Sequence, residues 1–171
     1  GLSREGAGRP MNVRPITAAE ARIVRLPVLR TGLPPDSAVL PRDDDPATRH
    51  FGVFDGARLI AVATFFPEPW AGRPHDPAWR LRGMATVEDR QRRGAGRALI
   101  DEGVRAARAG GARLIWCHAR VRAQGFYERM GFVAEGPIFD LPPEFGKIAV
   151  ENGDEEQLVD AFRVVSMRSE E

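Results

Sequence analysis

The feature that most constrains this chain is a change of residue pattern between positions 79 and 119. Trp79 to Val87 alternates between two faces, as a β-strand does. From Gly94 the apolar residues recur at helical spacing, and Gly110-Gly111 ends the helix by allowing left-handed backbone. Arg113 to Ala119 then returns to a strand pattern. This strand–helix–strand unit predicts an α/β chain built on a sheet.

The loop between the first strand and the helix has the sequence Gln91-Arg-Arg-Gly94-Ala-Gly96. A polyphosphate at the end of a strand needs backbone N–H groups turned toward it and no Cβ in the way, and a glycine-containing helix N-terminus supplies both. The backbone of about Arg92 to Arg97 is then expected to bind the anion, with the arginine side chains adding charge nearby. The glycine spacing alone slightly favours the alternative, an arginine-rich turn in which the glycines only ease a tight corner.

Two common nucleotide-binding motifs are excluded at this loop. A Walker loop needs Gly-Lys-Ser/Thr, which is missing. A Rossmann fingerprint needs Gly or Ala where Leu99 stands and an acidic residue further along, where Arg113 to Trp116 offers none.

The N-terminal part of the chain predicts a strand followed by a helix. Met11 to Ile16 alternates weakly, and Thr17-Ala-Ala-Glu20 is a capping box that starts a helix near Ala18. Pro27 is expected to kink or end this helix between Arg25 and Arg30, because proline lacks the N–H that continues it. Residues 1–10 are expected to be a disordered extension or a tag remnant, and residues 11–171 a single domain.

A loop and a hairpin are predicted next. The Pro- and Asp-rich stretch from Thr31 to Arg49 is expected to cover a binding site, with one helical turn, because long irregular loops are uncommon elsewhere in compact domains. His50 to Phe54 and Arg58 to Phe66 are strand-like runs joined at Asp55-Gly56, which is a typical hairpin turn.

The C-terminal third predicts one helix, two strands and a loop. Ala123, Phe126, Tyr127 and Met130 share a helical face, and Gly131 stands where a helix C-cap favours glycine. The remaining predictions are a strand at Phe132 to Asp140, a loop at Pro142 to Asp154, a helical turn at Glu155 to Ala161 and a last strand at Phe162 to Met167.

The composition limits the partners of this chain. The 25 Lys and Arg residues nearly balance the 24 Asp and Glu residues, so a net charge of +1 creates no overall field for nucleic acid or an anionic membrane. The single cysteine, Cys117, excludes an internal disulfide and a cysteine-based metal cluster, and it fits a reducing cytoplasm. We therefore expect a cytoplasmic protein with no bound metal, no nucleic-acid partner and no membrane span.

Three segments in this order resemble the GNAT superfamily of N-acetyltransferases. They are Met84-Ala-Thr-Val87, then Gln91-x-x-Gly94-x-Gly96, then Ala123-x-x-Phe126-Tyr127-Glu-Arg-Met-Gly131-Phe132. The resemblance extends over about Met11 to Asp140. It implies a mixed α/β sheet of about seven strands with flanking helices, splayed between strands 4 and 5 to admit acetyl-CoA.

The resemblance also assigns site residues. It implies that the main chain of the segment Met84-Ala85-Thr86 pairs with the pantetheine arm, and that the pyrophosphate lies on the loop. The cofactor-binding candidates are Met84, Ala85, Thr86, Gln91, Arg92, Arg93, Gly94, Ala95, Gly96 and Arg97. Tyr127 matches the tyrosine that protonates the leaving thiolate in many members, although helix packing against the sheet is an alternative role for Phe126-Tyr127. Arg120 stands where many members carry Asn, and so it receives no cofactor contact.

No residue is singled out as the base that removes the amine proton. Glu68 and His75 precede the strand at the cofactor site, His118 faces that site with Trp116, and Glu88 lies just before the loop. Each has an ordinary structural role as its alternative. Cys117 is expected to be buried and inert, because neighbouring residues of a strand point to opposite faces.

The acceptor is also left open. Asp43-Asp44-Asp45 is either a solvated loop or an attraction for a cationic amine, with Trp70 or Trp79 as a cover. We expect direct acetyl transfer to a primary amine on a small molecule or a peptide. A catalytically silent acyl-CoA-binding module is the alternative, and an arginine-rich nucleic-acid binder is disfavoured. Glu144 to Asp160 is expected to shape the acceptor site or a homodimer contact.

Overall fold

The computed structural model describes residues 11–120, 123–140 and 157–164. Within these residues the chain forms a seven-stranded sheet and three α-helices. In chain order the elements are β1 (Asn12–Pro15), α1 (Ala18–Leu29), β2 (Arg49–Asp55), β3 (Arg58–Pro67), β4 (Ala78–Thr86), α2 (Ala95–Ala109), β5 (Leu114–Arg120), α3 (Gln124–Arg129), β6 (Phe132–Asp140) and β7 (Gln157–Val164).

The strands are arranged in the order β1-β2-β3-β4-β5-β7-β6. β4 and β5 are parallel, and the other neighbouring strands are antiparallel. The parallel pair is joined by α2, which packs on the sheet as the crossover of the predicted strand–helix–strand unit. The expected mixed sheet of about seven strands is thereby confirmed.

The prediction for the last strand was wrong in its position. β7 begins at Gln157, inside the segment Glu155 to Ala161 for which the spacing favours a helical turn. The strand lies between β5 and β6 and pairs with both, so its backbone is satisfied on two sides. Such pairing overrides local spacing in so short a segment. The predicted loop at Pro142 to Asp154 lies outside the described residues, as does the segment Glu144 to Asp160 except for the start of β7.

The first helix begins and ends close to its predicted limits. The Oγ1 atom of Thr17 accepts a hydrogen bond from the Glu20 N–H at 3.1 Å, and the Glu20 carboxylate accepts one from the Thr17 N–H at 3.0 Å. Pro27 is inside α1, and the helix ends two residues later at Leu29. The hydroxyl of Thr31 then donates to the Pro27 carbonyl at 2.6 Å, which satisfies one of the last helical acceptors.

The hairpin between β2 and β3 turns one residue later than predicted. Asp55 still pairs with Arg58, so the turn residues are Gly56 and Ala57. Gly56 has a φ of +60°, which is the left-handed backbone that glycine adopts at little cost. The loop that precedes β2 contains the expected single helical turn, at Pro35–Ala38.

The main core lies between the sheet and α2. Leu99 and Ile100 of the helix are buried in one cluster with Phe65 of β3 and Ile115 of β5. Gly103 allows the close approach of α2, since a Cβ at this position would stand 2.1 Å from the Phe65 ring. A smaller cluster lies under α1 on the opposite face of the sheet. Helices therefore cover both faces of the sheet. The candidate site lies where β4 and β5 separate.

Candidate active site

β4 and β5 pair only at their beginnings. In the described part of the chain their pairs run from Ala78 with Leu114 to Arg80 with Trp116 and then stop. Beyond Arg80 the strands diverge, and a cleft of about 1210 Å³ opens between them. Residues from α1, the following loop, β4, β5, the glycine loop and α3 line it. This is the splay between strands 4 and 5 that the resemblance implied.

A β-bulge changes the direction of β4 at the cleft. Thr64 of β3 pairs with Arg82 and Val62 pairs with Ala85, so Gly83 and Met84 together face one residue of β3. Gly83 has a φ of +62°. This is the left-handed backbone that a G1 bulge requires of its first residue, which is usually glycine. A Cβ at Gly83 would stand 2.8 Å from the Nε atom of Arg25.

The bulge corrects the predicted faces of this strand. Trp79 and Leu81 lie in the main core, and Met84 packs against the same core instead of facing away from it. Ala85 joins the cluster under α1. The strict alternation predicted from Trp79 to Val87 is wrong beyond Leu81, because one extra residue exchanges the two faces of a strand.

The glycine loop joins β4 to the N-terminus of α2. Gly94 is the N-cap residue, with a φ of +92°. Arg92 also has a positive φ, of 63°, so left-handed residues occur on both sides of Arg93. Alternation of this kind makes a concave surface of N–H groups that suits anions. The side chain of Gln91 turns back and donates to the Thr86 carbonyl at 3.0 Å, which ties the loop to the end of β4.

Most of the predicted cofactor-binding residues lie along one continuous stretch of the cleft. Arg93 is exposed and does not belong to this lining. The predicted residues that do line the cleft are Met84, Ala85, Thr86, Gln91, Arg92, Gly94, Ala95, Gly96 and Arg97. A strand end, a glycine loop and a helix N-terminus thus meet where the sequence predicts an anion site.

Tyr127 lines the cleft from α3 and is 7% exposed. Its ring packs edge-on against Phe126 and Phe132, with centroid distances of 5.2 Å and 5.3 Å. Burial raises the pKa of Tyr127 well above its ordinary value, and the neighbouring thiol of Cys117, to which it is hydrogen bonded, acts in the same direction. The phenol is therefore protonated at neutral pH, as a proton donor must be.

Cys117 lies in the main core and is 1% exposed. Burial raises the pKa of its thiol to about 12, although the hydrogen bond with Tyr127 acts in the opposite direction. A thiol with this pKa holds its proton at neutral pH and is a poor nucleophile. This agrees with the expectation that Cys117 is inert.

Residues 22–132 of the chain match the Acetyltransferase (GNAT) family. The chain belongs to this family. The N-acetyltransferase YitI of Bacillus subtilis (strain 168) is 30% identical over 132 residues, which cover 77% of this chain and 89% of YitI. The match confirms the resemblance that the three sequence segments indicate. It also confirms that the protein is an acyltransferase.

Solved structures show the same fold. A GNAT-family acetyltransferase from Desulfovibrio desulfuricans superposes with a TM-score of 0.65 at 21% identity, over 93% of this chain and 100% of that one. A Bacillus subtilis acetyltransferase in complex with CoA has a TM-score of 0.66 at 15% identity, over 91% of this chain and 98% of that one. The seven-stranded sheet of this GNAT acetyltransferase therefore has the family's architecture.

The candidate bases occupy different places in this GNAT acetyltransferase. His118 lines the cleft and is exposed, with its ring 5.5 Å from that of Trp116. Glu68 forms an ion pair with Arg80 at 3.1 Å. His75 and Glu88 are exposed, and neither belongs to the cleft lining. Of the four, only His118 faces the cleft among the residues that the structure describes.

The acidic trio is not simply a solvated loop. Asp43 is buried and receives two hydrogen bonds from Arg25, at 2.7 Å and 3.1 Å. Arg25 is 1% exposed and also donates to the Oγ1 atom of Thr64 at 2.6 Å, and Thr64 bonds in turn to His50 at 2.8 Å. Asp44 remains exposed. The trio therefore does not act together as an attraction for cations.

The tryptophans also differ from their expected role. Trp79 is buried in the main core, and Trp70 is buried in a separate cluster with Trp116. Neither covers an open cleft.

Arg25, Arg30 and Arg82 line the cleft but were not predicted as site residues. A glycine at position 83 within a strand pattern is the one sequence signal that indicates a bulge there. Arg25 and Arg30 come from α1 and its C-cap, and Arg82 comes from β4, so only the fold brings them together.

Two classes of site are not found in the described ranges. These residues contain no group of three or more His, Cys, Asp or Glu side chains that could hold a metal ion. Nor does any helix within them combine the length and apolar character of a membrane span.

Proposed function

We propose that this enzyme transfers the acetyl group of acetyl-CoA directly to a primary amine on a small molecule or peptide. Acetyl-CoA is its co-substrate, in keeping with family membership and with the CoA held by the structurally similar Bacillus subtilis acetyltransferase. The observation that carries the proposal is the divergence of β4 and β5 beyond Arg80. It opens a cleft with the glycine loop and Tyr127 on its walls.

The cofactor would extend along β4 on the α2 side of the cleft. The main chain of Met84, Ala85 and Thr86 has lost its partner strand on this edge and would pair with the amides of the pantetheine arm. The pyrophosphate would lie on the N–H groups from Arg92 to Arg97, where the helix dipole and two cleft-lining arginines favour an anion. This side-by-side placement delivers the thioester toward Tyr127.

The proposed reaction is a direct substitution at the thioester carbonyl. The amine nitrogen attacks the thioester carbonyl, a C–N bond forms, and the C–S bond breaks. The leaving thiolate takes the Tyr127 phenol proton, and the phenolate is then reprotonated from solvent. His118, facing the cleft, would accept the amine proton directly or through water.

A free-thiol release assay with acetyl-CoA and a panel of amines tests the proposal. Direct transfer predicts thiol release that depends on an amine, and initial rates that require a ternary complex. Intact mass spectrometry of the enzyme with acetyl-CoA alone should show no added acetyl group. An acetylated Cys117 on the reaction path would contradict direct transfer.

The silent-module alternative predicts a different result in the same assay. A CoA-binding module would still be stabilised by CoA, because any ligand that binds only the native state raises the free energy of unfolding. It would release no thiol with any amine of the panel. Thermal unfolding with and without CoA, run beside the thiol assay, separates this alternative from an inactive preparation.

A further inference from the structure

Gly83, the first residue of the β4 bulge, is in contact with a buried arginine. A Cβ at Gly83 would stand 2.8 Å from the Nε atom and 3.4 Å from the Cζ atom of Arg25. It would also stand 3.2 Å from the Cδ1 atom of Leu40, in the loop that follows α1. The guanidinium group and this leucine therefore occupy the space beside the bulge in which a side chain would otherwise lie.

Arg25 is 1% exposed and is held by partners on several sides. Its Nη1 atom donates to the Asp43 carboxylate at 2.7 Å and to the Ala38 carbonyl at 3.1 Å. Its Nη2 atom donates to the other carboxylate oxygen at 3.1 Å and to the Thr64 hydroxyl oxygen at 2.6 Å. Paired bonds to a carboxylate fix the plane of a guanidinium group. The side chain is therefore held in one orientation.

The network continues to β2 through His50, which is also buried. Its Nε2 atom lies 2.9 Å from the Asp43 carbonyl oxygen, and its Nδ1 atom lies 2.8 Å from the Thr64 hydroxyl. Because a carbonyl oxygen only accepts, Nε2 carries the proton, and in the neutral ring Nδ1 accepts from the Thr64 hydroxyl. The Thr64 oxygen retains lone pairs for Arg25. The hydrogen bonds of the network are therefore mutually compatible.

Asp43 connects this network to the cleft. Its carboxylate binds Arg25 and also accepts from the Leu40 N–H at 3.0 Å, so it holds both residues that contact Gly83. Arg25, Ala38 and Leu40 line the cleft. The network thus joins α1, the loop after it, β2 and β3 at the point where β4 changes direction.

The main chain beyond the bulge is the edge to which the pantetheine arm is proposed to bind. The Val87 N–H donates to the Ile60 carbonyl of β3 at 2.8 Å. Alternate residues of an antiparallel strand direct their main-chain groups to the same side, so Ala85 also turns toward β3. The Met84 carbonyl and the Thr86 N–H then turn toward the cleft. Their position depends on the bulge that immediately precedes them.

We propose that Arg25 is a positioning residue for acetyl transfer, whose buried network holds the bulge at Gly83 and thereby sets where the thioester lies relative to Tyr127. The inference rests on the proposed function. Arg25 acts through the main chain of β4 and not by contact with the reacting atoms.

The network should affect the rate of transfer more than the affinity for CoA. The cofactor phosphates are proposed to bind at the glycine loop, and the network described above includes no residue of that loop. A displacement of about 1 Å at the reacting atoms can lower a rate by about 100-fold. A small shift of the bulge would therefore slow the reaction while the phosphates stay bound.

Arg25→Lys tests the inference. The variant keeps the positive charge, but its single ammonium group cannot reproduce the planar fork that binds Asp43, Ala38 and Thr64 together. With an amine that the wild type acetylates, we expect kcat to fall by about 10- to 100-fold, and KM for acetyl-CoA and Kd for CoA to change by less than about 3-fold. An unchanged kcat, or a loss of CoA affinity as large as the loss of kcat, would overturn the inference.

Arg22→Lys is the matched control. It makes the same chemical change three residues earlier on α1, and Arg22 also pairs with Asp43, at 3.5 Å. The Arg22 side chain is 29% exposed and does not belong to the cleft lining. This variant should keep kcat within about 2-fold of the wild type, because partly exposed ion pairs contribute little. A loss equal to that of Arg25→Lys would overturn the inference.

A double variant covers the case in which Arg25→Lys does not fold. Arg25→Met combined with Asp43→Asn removes both buried charges together, and replacement of a whole buried ion pair is often neutral for stability. The same fall in kcat with retained CoA affinity is expected. Wild-type kcat in the folded double variant would overturn the inference.

Hydrogen exchange decides the inference if no amine is acetylated. In that case amine transfer fails as the function, and the measurement is made on CoA-bound protein. The amides of residues 82–87 should exchange about 10-fold faster or more in Arg25→Lys than in the wild type, whereas those of α2 should exchange at the wild-type rate. Equal exchange of residues 82–87 in the two proteins, or the same acceleration in α2, would overturn the inference.

Discussion

Gly96 and Phe126 are in contact across the α2 side of the cleft. A Cβ at Gly96 would stand 2.9 Å from the Cζ atom of Phe126, closer than side chains tolerate. The glycine loop and the Phe-Tyr helix, which are far apart in the sequence, are thus fitted to each other. Gly96 is needed for this packing as well as for any approach of a phosphate.

Gly96→Ala should destabilise the protein by about 1–3 kcal/mol, because the new methyl group overpacks the contact with Phe126. Helix propensity alone predicts the opposite, a gain of about 1 kcal/mol. Urea denaturation measures the change, and titration with CoA should show weaker binding. The same substitution in a Phe126→Leu background, where the ring is absent, should cost clearly less. An equal cost in both backgrounds would show that the contact is not the cause.

Tyr127→Phe should lower kcat by about 100-fold or more, since general acids contribute on this scale. Stabilisation by CoA should be unchanged. The matched control is Cys117→Ala, which removes the hydrogen-bond partner of Tyr127 and retains the phenol. If Tyr127 served only to make that bond, the two variants would lose activity equally. Full activity of Tyr127→Phe would exclude it as the acid.

Native Cys117 should resist iodoacetamide between pH 7 and pH 9. Burial, the main cause, raises its pKa to about 12, so the thiolate is nearly absent in this range. The measurement is mass spectrometry of protein labelled with and without denaturant, and it reports one site because the chain has one cysteine. Rapid labelling of the native protein would contradict the burial of this thiol.

Asp43→Asn should destabilise the protein by about 3–5 kcal/mol, because it leaves Arg25 as a buried charge without its carboxylate. Asp44→Asn is the matched control. The Asp44 side chain is 88% exposed, and the substitution should change the free energy of unfolding by no more than about 0.5 kcal/mol. Similar losses in the two variants would mean that the buried ion pair is not the origin of the effect.

The same ion pair predicts a pH dependence. Burial by itself raises the pKa of Asp43, but hydrogen bonds from Arg25 and the Leu40 N–H, with the charges of Arg25 and His50, outweigh it and lower the pKa. The stabilisation is therefore complete above the unfolded pKa of about 3.9 and is lost as the pH falls through the lower folded value. Denaturation of the wild type and Asp43→Asn should show a difference that is large near pH 6 and smaller near pH 3.

Caps, turn residues and periodicity predicted most of the helices and strands. These patterns depend on residues that are close together in the sequence. The capping box at Thr17 places the start of α1, and the glycines at 110 and 111 place the end of α2. Local patterns give wrong predictions where contacts with distant segments favour a different structure. The helical spacing at 155–161 was overridden by pairing of β7 on both sides, and the alternation of β4 was broken by the bulge at Gly83.

The sequence by itself determined the family and the site of the glycine loop, because both depend on residue types at close spacing along the chain. Only the tertiary structure decided which face Met84 presents, that Asp43 is buried with Arg25, and that arginines from α1 and β4 line the same cleft. These are contacts between distant segments, and their geometry follows from how strands register and helices pack. Most of the lining around the glycine loop could therefore be predicted from the sequence, whereas the lining that α1 contributes required the fold.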